Sequence, residues 1–221
     1  MSDQHATLLP KNKNETNIKE KSSFDSNLLT EALYECIGTM MFMVIIYYCS
    51  GDVSKFVFGF WIILSIFGGL SGAHVNPAIT LGFYVYEGDF TGGLPKLLLY
   101  WLAQFVGAFL GASISKPLFL QDVFVQSTKN TFEIFWAEFF FTGTFCFVIL
   151  YVCSKKVNLT ESAPIKCAMI VGWFYAIVNA GASISGAAYN PAILTVLNIS
   201  AQLDDQQNAI INQIGRASCR E

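Results

Sequence analysis

Long apolar stretches constrain this chain more than anything else in it: residues 28–49, 56–70, 94–115, 132–153 and 164–182. Runs of about 18 or more apolar residues read as transmembrane helices. A hydrocarbon core leaves no water to satisfy backbone N–H and C=O groups outside a helix or a closed barrel. Two shorter apolar pieces, 76–86 and 190–199, fall between the second and third stretches and after the fifth. Ten or so residues make about 15 Å of helix, half the depth of a bilayer, so these pieces are expected to enter a membrane without crossing it. Only 13% of the chain is charged, against about 25% in an average soluble domain. A net charge of −3 gives no basic footprint for nucleic acid. The expected class is an all-α polytopic membrane protein with five full spans.

Residues 1–27 form a polar tail holding Lys11, Lys13, Lys19 and Lys21, with no apolar core of a cleavable signal. The loop after the fourth span carries Lys155, Lys156 and Lys166, while the loops on the other side hold only Lys55, Lys116 and Lys129. Positive residues favour the cytoplasmic face, so the N-terminus is expected in the cytoplasm. A plasma membrane and a vacuolar membrane both suit the pattern. Cys36, Cys49, Cys146, Cys153 and Cys167 lie in or beside apolar runs without C-x-x-C spacing, and read as free, buried thiols. No metal cluster and no Ser/His or Cys/His pair is available for catalysis, and no cofactor is implied.

The chain repeats itself. Glu35-x-x-x-Thr39 in the first span matches Glu138-x-x-x-Thr142 in the fourth, and Ser71-Gly72-Ala73-His74-Val75-Asn76-Pro77-Ala78-Ile79 matches Ser185-Gly186-Ala187-Ala188-Tyr189-Asn190-Pro191-Ala192-Ile193. A repeat unit of three spans is odd, so the second copy must enter the membrane upside down relative to the first. One half-helix then dips in from each side, and the two meet near the midplane. The expected units are a first repeat at 28–115, an outer connecting loop at 116–130 and a second repeat at 131–213.

Pro77 and Pro191 suit first helical positions, where a missing N–H costs nothing. Asn76 and Asn190 are the expected N-caps, held by N–H groups of the first turn and turning their amide donors into a lumen. Both half-helices aim positive dipole ends at one point. A water there accepts from both Asn side chains, which interrupts a proton wire, and cations meet an unfavourable field.

Two Asn-Pro-Ala motifs, each opening a half-length helix and each led by Ser-Gly-Ala, resemble the aquaporin family, the major intrinsic proteins. Further matches are Gly38-Thr39, Tyr100-x-x-Ala103-Gln104-x-x-Gly107-Ala108 and Ala137-Glu138, and the likeness covers roughly 28–200. It implies an inverted repeat with two re-entrant half-helices, a passive path for water or small neutral solutes, and a homotetramer in a lipid bilayer. It implies that Glu35 and Glu138 accept backbone N–H groups of the re-entrant loops, with Gln104 bonding loop backbone likewise. A proton-relay role for the two acids is the alternative, since ionisable groups inside spans are expensive and normally functional or paired. His74 would stand in the cytoplasmic vestibule. Gly107, Ala108, Gly111, Ala112 and Gly172 read as close helix contacts.

The constriction departs from the water-selective pattern of an aromatic, a His, a small residue and an Arg. Counted without gaps from the two Asn, these positions are Phe56, Val178, Ala187 and Ile193. An apolar, wider ring with few donors is expected, passing small neutral solutes or partly dewetting. No sixth span follows residue 190–199, and residues 214–221 can be encoded by the opening of a widely used sequencing adapter. They are expected to lie outside the native protein, and the chain without a sixth span is expected to fold poorly and conduct nothing alone. Reading the native gene past the Gln213 codon tests this. The rival functions are a secondary transporter, which also uses inverted repeats and broken helices, and a non-conducting scaffold.

Overall fold

The computed structural model describes residues 13–49, 51–119 and 130–203, and these are helical apart from short connections. In chain order the helices are α1 (Lys13–Cys49), α2 (Val53–Phe67), α3 (Pro77–Glu87), α4 (Leu94–Phe119), α5 (Thr131–Cys153), α6 (Ala163–Ser185) and α7 (Pro191–Leu203). Local chemistry sets most of the starts. Asp52 caps α2 by accepting from the N–H groups of Ser54 at 3.0 Å and Lys55 at 3.2 Å. Those bonds, that of Lys55 first, hold its carboxyl below the usual range. Asn130 caps α5 through the Glu133 N–H at 2.9 Å. Gly88 and Gly186 end α3 and α6 in the left-handed conformation, at φ +73° and +84°, as glycine allows.

Among the described residues, four helices are long and apolar enough to cross a membrane: Asn27–Cys49 within α1, Leu94–Phe119, Thr131–Cys153 and Ala163–Ser185. The stretch at 56–70, expected as a further full span, falls on α2, a shorter apolar helix of the same 15 residues in length, shifted three residues toward the N-terminus. At 1.5 Å per residue it reaches about 22 Å, short of a bilayer core of about 30 Å. The expected polar tail is also not wholly outside the helices. Its Lys- and Glu-rich part, made of good helix formers, continues α1 back to Lys13. The expected loop at 116–130 is helical as far as Phe119; its remainder to residue 129, and residues 214–221 with Cys219, lie outside the described residues.

α1 and α4 form the most extensive helix pair. A methyl group on Gly107 would collide with the Cys36 backbone carbonyl, and one on Gly111 would press on the Met40 carbonyl and Met43. Ala108 and Ala112 are buried beside them. Small residues here let two backbones touch. Gly172 does not belong with them: it is exposed, with open space where a side chain would stand. In the core, rings from four helices meet: Phe42 of α1, Phe60 of α2, Phe145 of α5 and Phe174 of α6. The five described cysteines are free.

Candidate functional site

The two Asn-capped helices abut at their N-termini. Asn76 Oδ1 accepts from the Ala78 N–H at 2.9 Å, and Asn190 Oδ1 accepts from Ala192 at 3.1 Å and Ile193 at 3.4 Å. Each amide nitrogen reaches across to the other motif. Asn76 Nδ2 donates to the Tyr189 carbonyl and Asn190 Nδ2 to the Val75 carbonyl, both at 2.8 Å. Each Asn therefore binds the residue just before the other cap. One hydrogen of each amide is committed to this cross-link, which leaves the second for the lumen. Sequence reasoning, which aimed both donors at the lumen, did not anticipate the cross-link.

The backbones leading into the two caps share an unusual shape. Gly72, Ala73 and Val75 have φ of +93°, +48° and +41°; Gly186, Ala187 and Tyr189 have +84°, +54° and +43°. Non-glycine residues in this region store about 1–3 kcal/mol each and persist only where their surroundings over-determine them. The carboxylates do so. Glu35 Oε1 accepts from Ser71 Oγ at 2.6 Å and from the His74 N–H at 2.9 Å. Its Oε2 accepts from the Val75 N–H at 2.6 Å and from Gln104 Nε2 at 2.8 Å. Glu138 holds the second loop through the N–H groups of Ala188 at 3.3 Å and Tyr189 at 2.9 Å.

Gln104 differs from its expected role. It bonds the Glu35 carboxylate and, at 2.9 Å, the Thr80 hydroxyl, rather than loop backbone. A buried carboxylate with free lone pairs is the stronger acceptor. His74 stacks on Phe83 with centroids 4.5 Å apart, and its Nδ1 lies 3.2 Å from Thr80 Oγ1.

Cavities lie on both sides of this junction. His74, Asn76, Asn190 and Phe145 help to line one of about 40 Å3. Phe56, Val178, Ala187 and Ile193 together line a second of about 200 Å3. All of its lining side chains are apolar or weakly polar except Asp52, whose carboxylate caps α2 and pairs with Lys55 at 3.2 Å. Pro77 and Ala78 open α3, and Pro191 and Ala192 open α7, behind the paired caps.

Residues 20–196 match the family model described as Major intrinsic protein. The chain belongs to the major intrinsic protein family. It is 32% identical to Aquaporin-8 of Mus musculus over 143 residues, covering 59% of this chain and 52% of that protein. It is 33% identical to Aquaporin TIP1-1 of Arabidopsis thaliana over 142 residues, covering 62% and 54%. The chain thus spans about half the length of the curated relatives it matches. Its fold is similar to that in the X-ray structure of the aquaglyceroporin from Plasmodium falciparum, with TM-score 0.65, 22% identity and coverage of 78% and 82%.

Other side chains of this major intrinsic protein take part without having been singled out as sites. Ser71 and Ser185 each accept, at 3.2 Å, the N–H two residues on, tightening the turn that leads to the cap. The Tyr100 hydroxyl lies 2.8 Å from both the Ser71 carbonyl and Glu31 Oε2, two acceptors for its single hydrogen. Trp101 Nε1 donates to the Pro77 carbonyl at 3.0 Å. The Tyr189 hydroxyl, buried against Gly181, donates to the Ile177 carbonyl at 2.9 Å. The Ser-Gly-Ala lead of each motif carried the signal for the two serines. Nothing in the spacing marked Trp101 or Tyr189.

Proposed function

We propose that the chain builds a passive transmembrane channel for water or small neutral solutes, with no catalytic step, cofactor or energy coupling. The observation that carries this reading is the reciprocal cross-link of Asn76 and Asn190, which sets two helix N-termini face to face between two cavities. The first repeat and the second enter the bilayer in opposite senses, α3 and α7 are re-entrant half-helices, and the N-terminus is cytoplasmic. Their dipoles and remaining amide hydrogens repel cations and orient a passing molecule. Phe56, Val178, Ala187 and Ile193 form the wider, apolar ring on the path, and His74 faces the cytoplasmic vestibule. Four copies assemble, as the family resemblance implies.

Glu35 argues against the transporter reading. Both of its oxygens accept two hydrogen bonds from groups that are themselves structural. A proton-coupling carboxyl needs an oxygen open to water or substrate, and this one has none to offer. Its role here is to hold the loop.

The test is osmotic swelling of vesicles holding the protein of the complete native reading frame, in gradients of glycerol, urea and methylamine and in an impermeant osmolyte for water. Flux that rises linearly with gradient and never saturates is expected. Saturable uptake driven by an ion gradient would sink the channel reading. Ile193→Arg should narrow the ring and place a charge on the path, changing which of these solutes pass; unchanged selectivity would remove Ile193 from the constriction.

A further inference from the structure

The two cavities share part of their lining. Phe42 and Phe174 line both, and they stand with Phe60 and Phe145 in a continuous cluster of rings. Centroid separations are 5.0 Å for Phe42–Phe60, 5.1 Å for Phe60–Phe174, 6.4 Å for Phe60–Phe145 and 4.8 Å for Phe145–Phe174. All four are at most 4% exposed. Phe56 extends the cluster into the larger cavity, 5.1 Å from Phe42 and 5.7 Å from Phe174.

These four rings are not a random sample of a phenylalanine-rich chain. Phe42 follows Glu35 by seven residues, and Phe145 follows Glu138 by seven. Phe60 precedes Asn76 by sixteen residues, and Phe174 precedes Asn190 by sixteen. Each repeat therefore supplies a ring at the same two places, and the fold brings all four together, Phe42 and Phe174 on the walls of both cavities and Phe60 and Phe145 on that of the smaller. Other phenylalanines of the same chain, such as Phe139, Phe140 and Phe147, are more than 60% exposed.

We propose that Phe42, Phe60, Phe145 and Phe174 are the main barrier to water and polyols in this channel, in series with the wider ring at Phe56, Val178, Ala187 and Ile193. The proposal rests on the channel reading. A water or polyol that passes between the rings must give up hydrogen bonds where no donor or acceptor replaces them, and an apolar constriction of this kind blocks by dewetting. The permeant class is then small, weakly hydrated neutral molecules. Water and polyols are held back.

The experiment compares water swelling of vesicles carrying the native protein with vesicles carrying Phe174→Ala, Phe60→Ala or both, and with empty vesicles. Phe139→Ala, on the exposed face of α5, is the control. Helical content by circular dichroism is read for every variant. Phe174→Leu and Phe60→Leu serve where an alanine variant loses structure, because apolar swaps nearer in volume disturb packing less. Native vesicles are expected to swell little faster than empty ones. Either alanine should raise water flux severalfold, and the pair should raise it further, whereas a purely structural ring would give no gain. Rapid native water flux that the variants leave unchanged overturns the barrier and keeps the channel. Helical, membrane-inserted protein whose native and variant forms all match empty vesicles overturns the channel reading and the barrier with it.

Discussion

The first re-entrant loop is held far more densely than the second, although the two share sequence pattern and backbone shape. Glu35 is fully buried and accepts four hydrogen bonds, from Ser71, His74, Val75 and Gln104. Glu138 is half-buried and accepts the two backbone bonds alone among those described. The difference comes from α4, which brings Gln104 and Tyr100 against the first loop. Among the described residues no helix stands in the corresponding place beside α5. The burial follows: 44% of the most apolar window of α1 is buried, and 11% of that of α5. A motif sets the conformation of a loop, but the neighbouring helix decides how firmly it is held.

The comparison predicts unequal costs for equal mutations. Glu35→Gln puts an amide NH2 among N–H and O–H donors and leaves at least two of them without an acceptor. At about 1–3 kcal/mol for each buried unsatisfied group, the loss should be on the order of 3–5 kcal/mol, read as a lowered thermal midpoint in detergent. A loss below that of Glu138→Gln would reverse the ranking and break the account. Gly107→Ala comes next. Its methyl meets the Cys36 carbonyl, so α1 and α4 must separate, at about 1–3 kcal/mol for an overpacked contact. That shift should also loosen Gln104 from Glu35, so the double variant Gly107→Ala/Glu35→Gln should cost less than the sum of the two singles. Strict additivity would show that α4 does not transmit to the first loop.

Glu138→Gln should cost about 1 kcal/mol, the net worth of ordinary hydrogen bonds at a half-exposed site. The comparison sharpens if Asn76→Ala and Asn190→Ala are measured beside it. Each removes an N-cap and one arm of the reciprocal cross-link, and a capping loss alone is about 0.5–2 kcal/mol. Matched losses at these two residues with unmatched losses at the two glutamates would place the asymmetry in the anchors and not in the junction.

Much of this architecture is legible in the chain because it rests on local rules. Asn followed by Pro before an apolar run reads as a capped helix start, and Pro77–Glu87 and Pro191–Leu203 begin where that rule puts them. Internal repetition pairs Glu35 with Glu138 before any contact is known. The cross-link from Asn76 to Tyr189 is not legible, because it joins residues 113 apart and depends on how two loops dock. The same holds for Trp101 and Tyr189. The bounds of α2 lie three residues N-terminal to the apolar stretch at 56–70: Asp52 caps a start at Val53, and the helix ends at Phe67 before Gly68 and Gly69.

The smallest effect separates a small residue that matters from one that only looks as if it should. Gly107 and Gly172 both sit in apolar helices, and sequence alone assigns both to close packing. A methyl at Gly107 strikes backbone, whereas one at Gly172 meets nothing within 4 Å. Gly172→Ala should therefore be neutral or slightly stabilising, by at most about 1 kcal/mol, the helix-propensity advantage of alanine. Its thermal midpoint should match or exceed that of the native protein while Gly107→Ala falls well below it. A clear loss at Gly172 would mean that another molecule packs against this face of α6, and the natural follow-up is cross-linking of the native protein in vesicles to ask whether a second copy lies there.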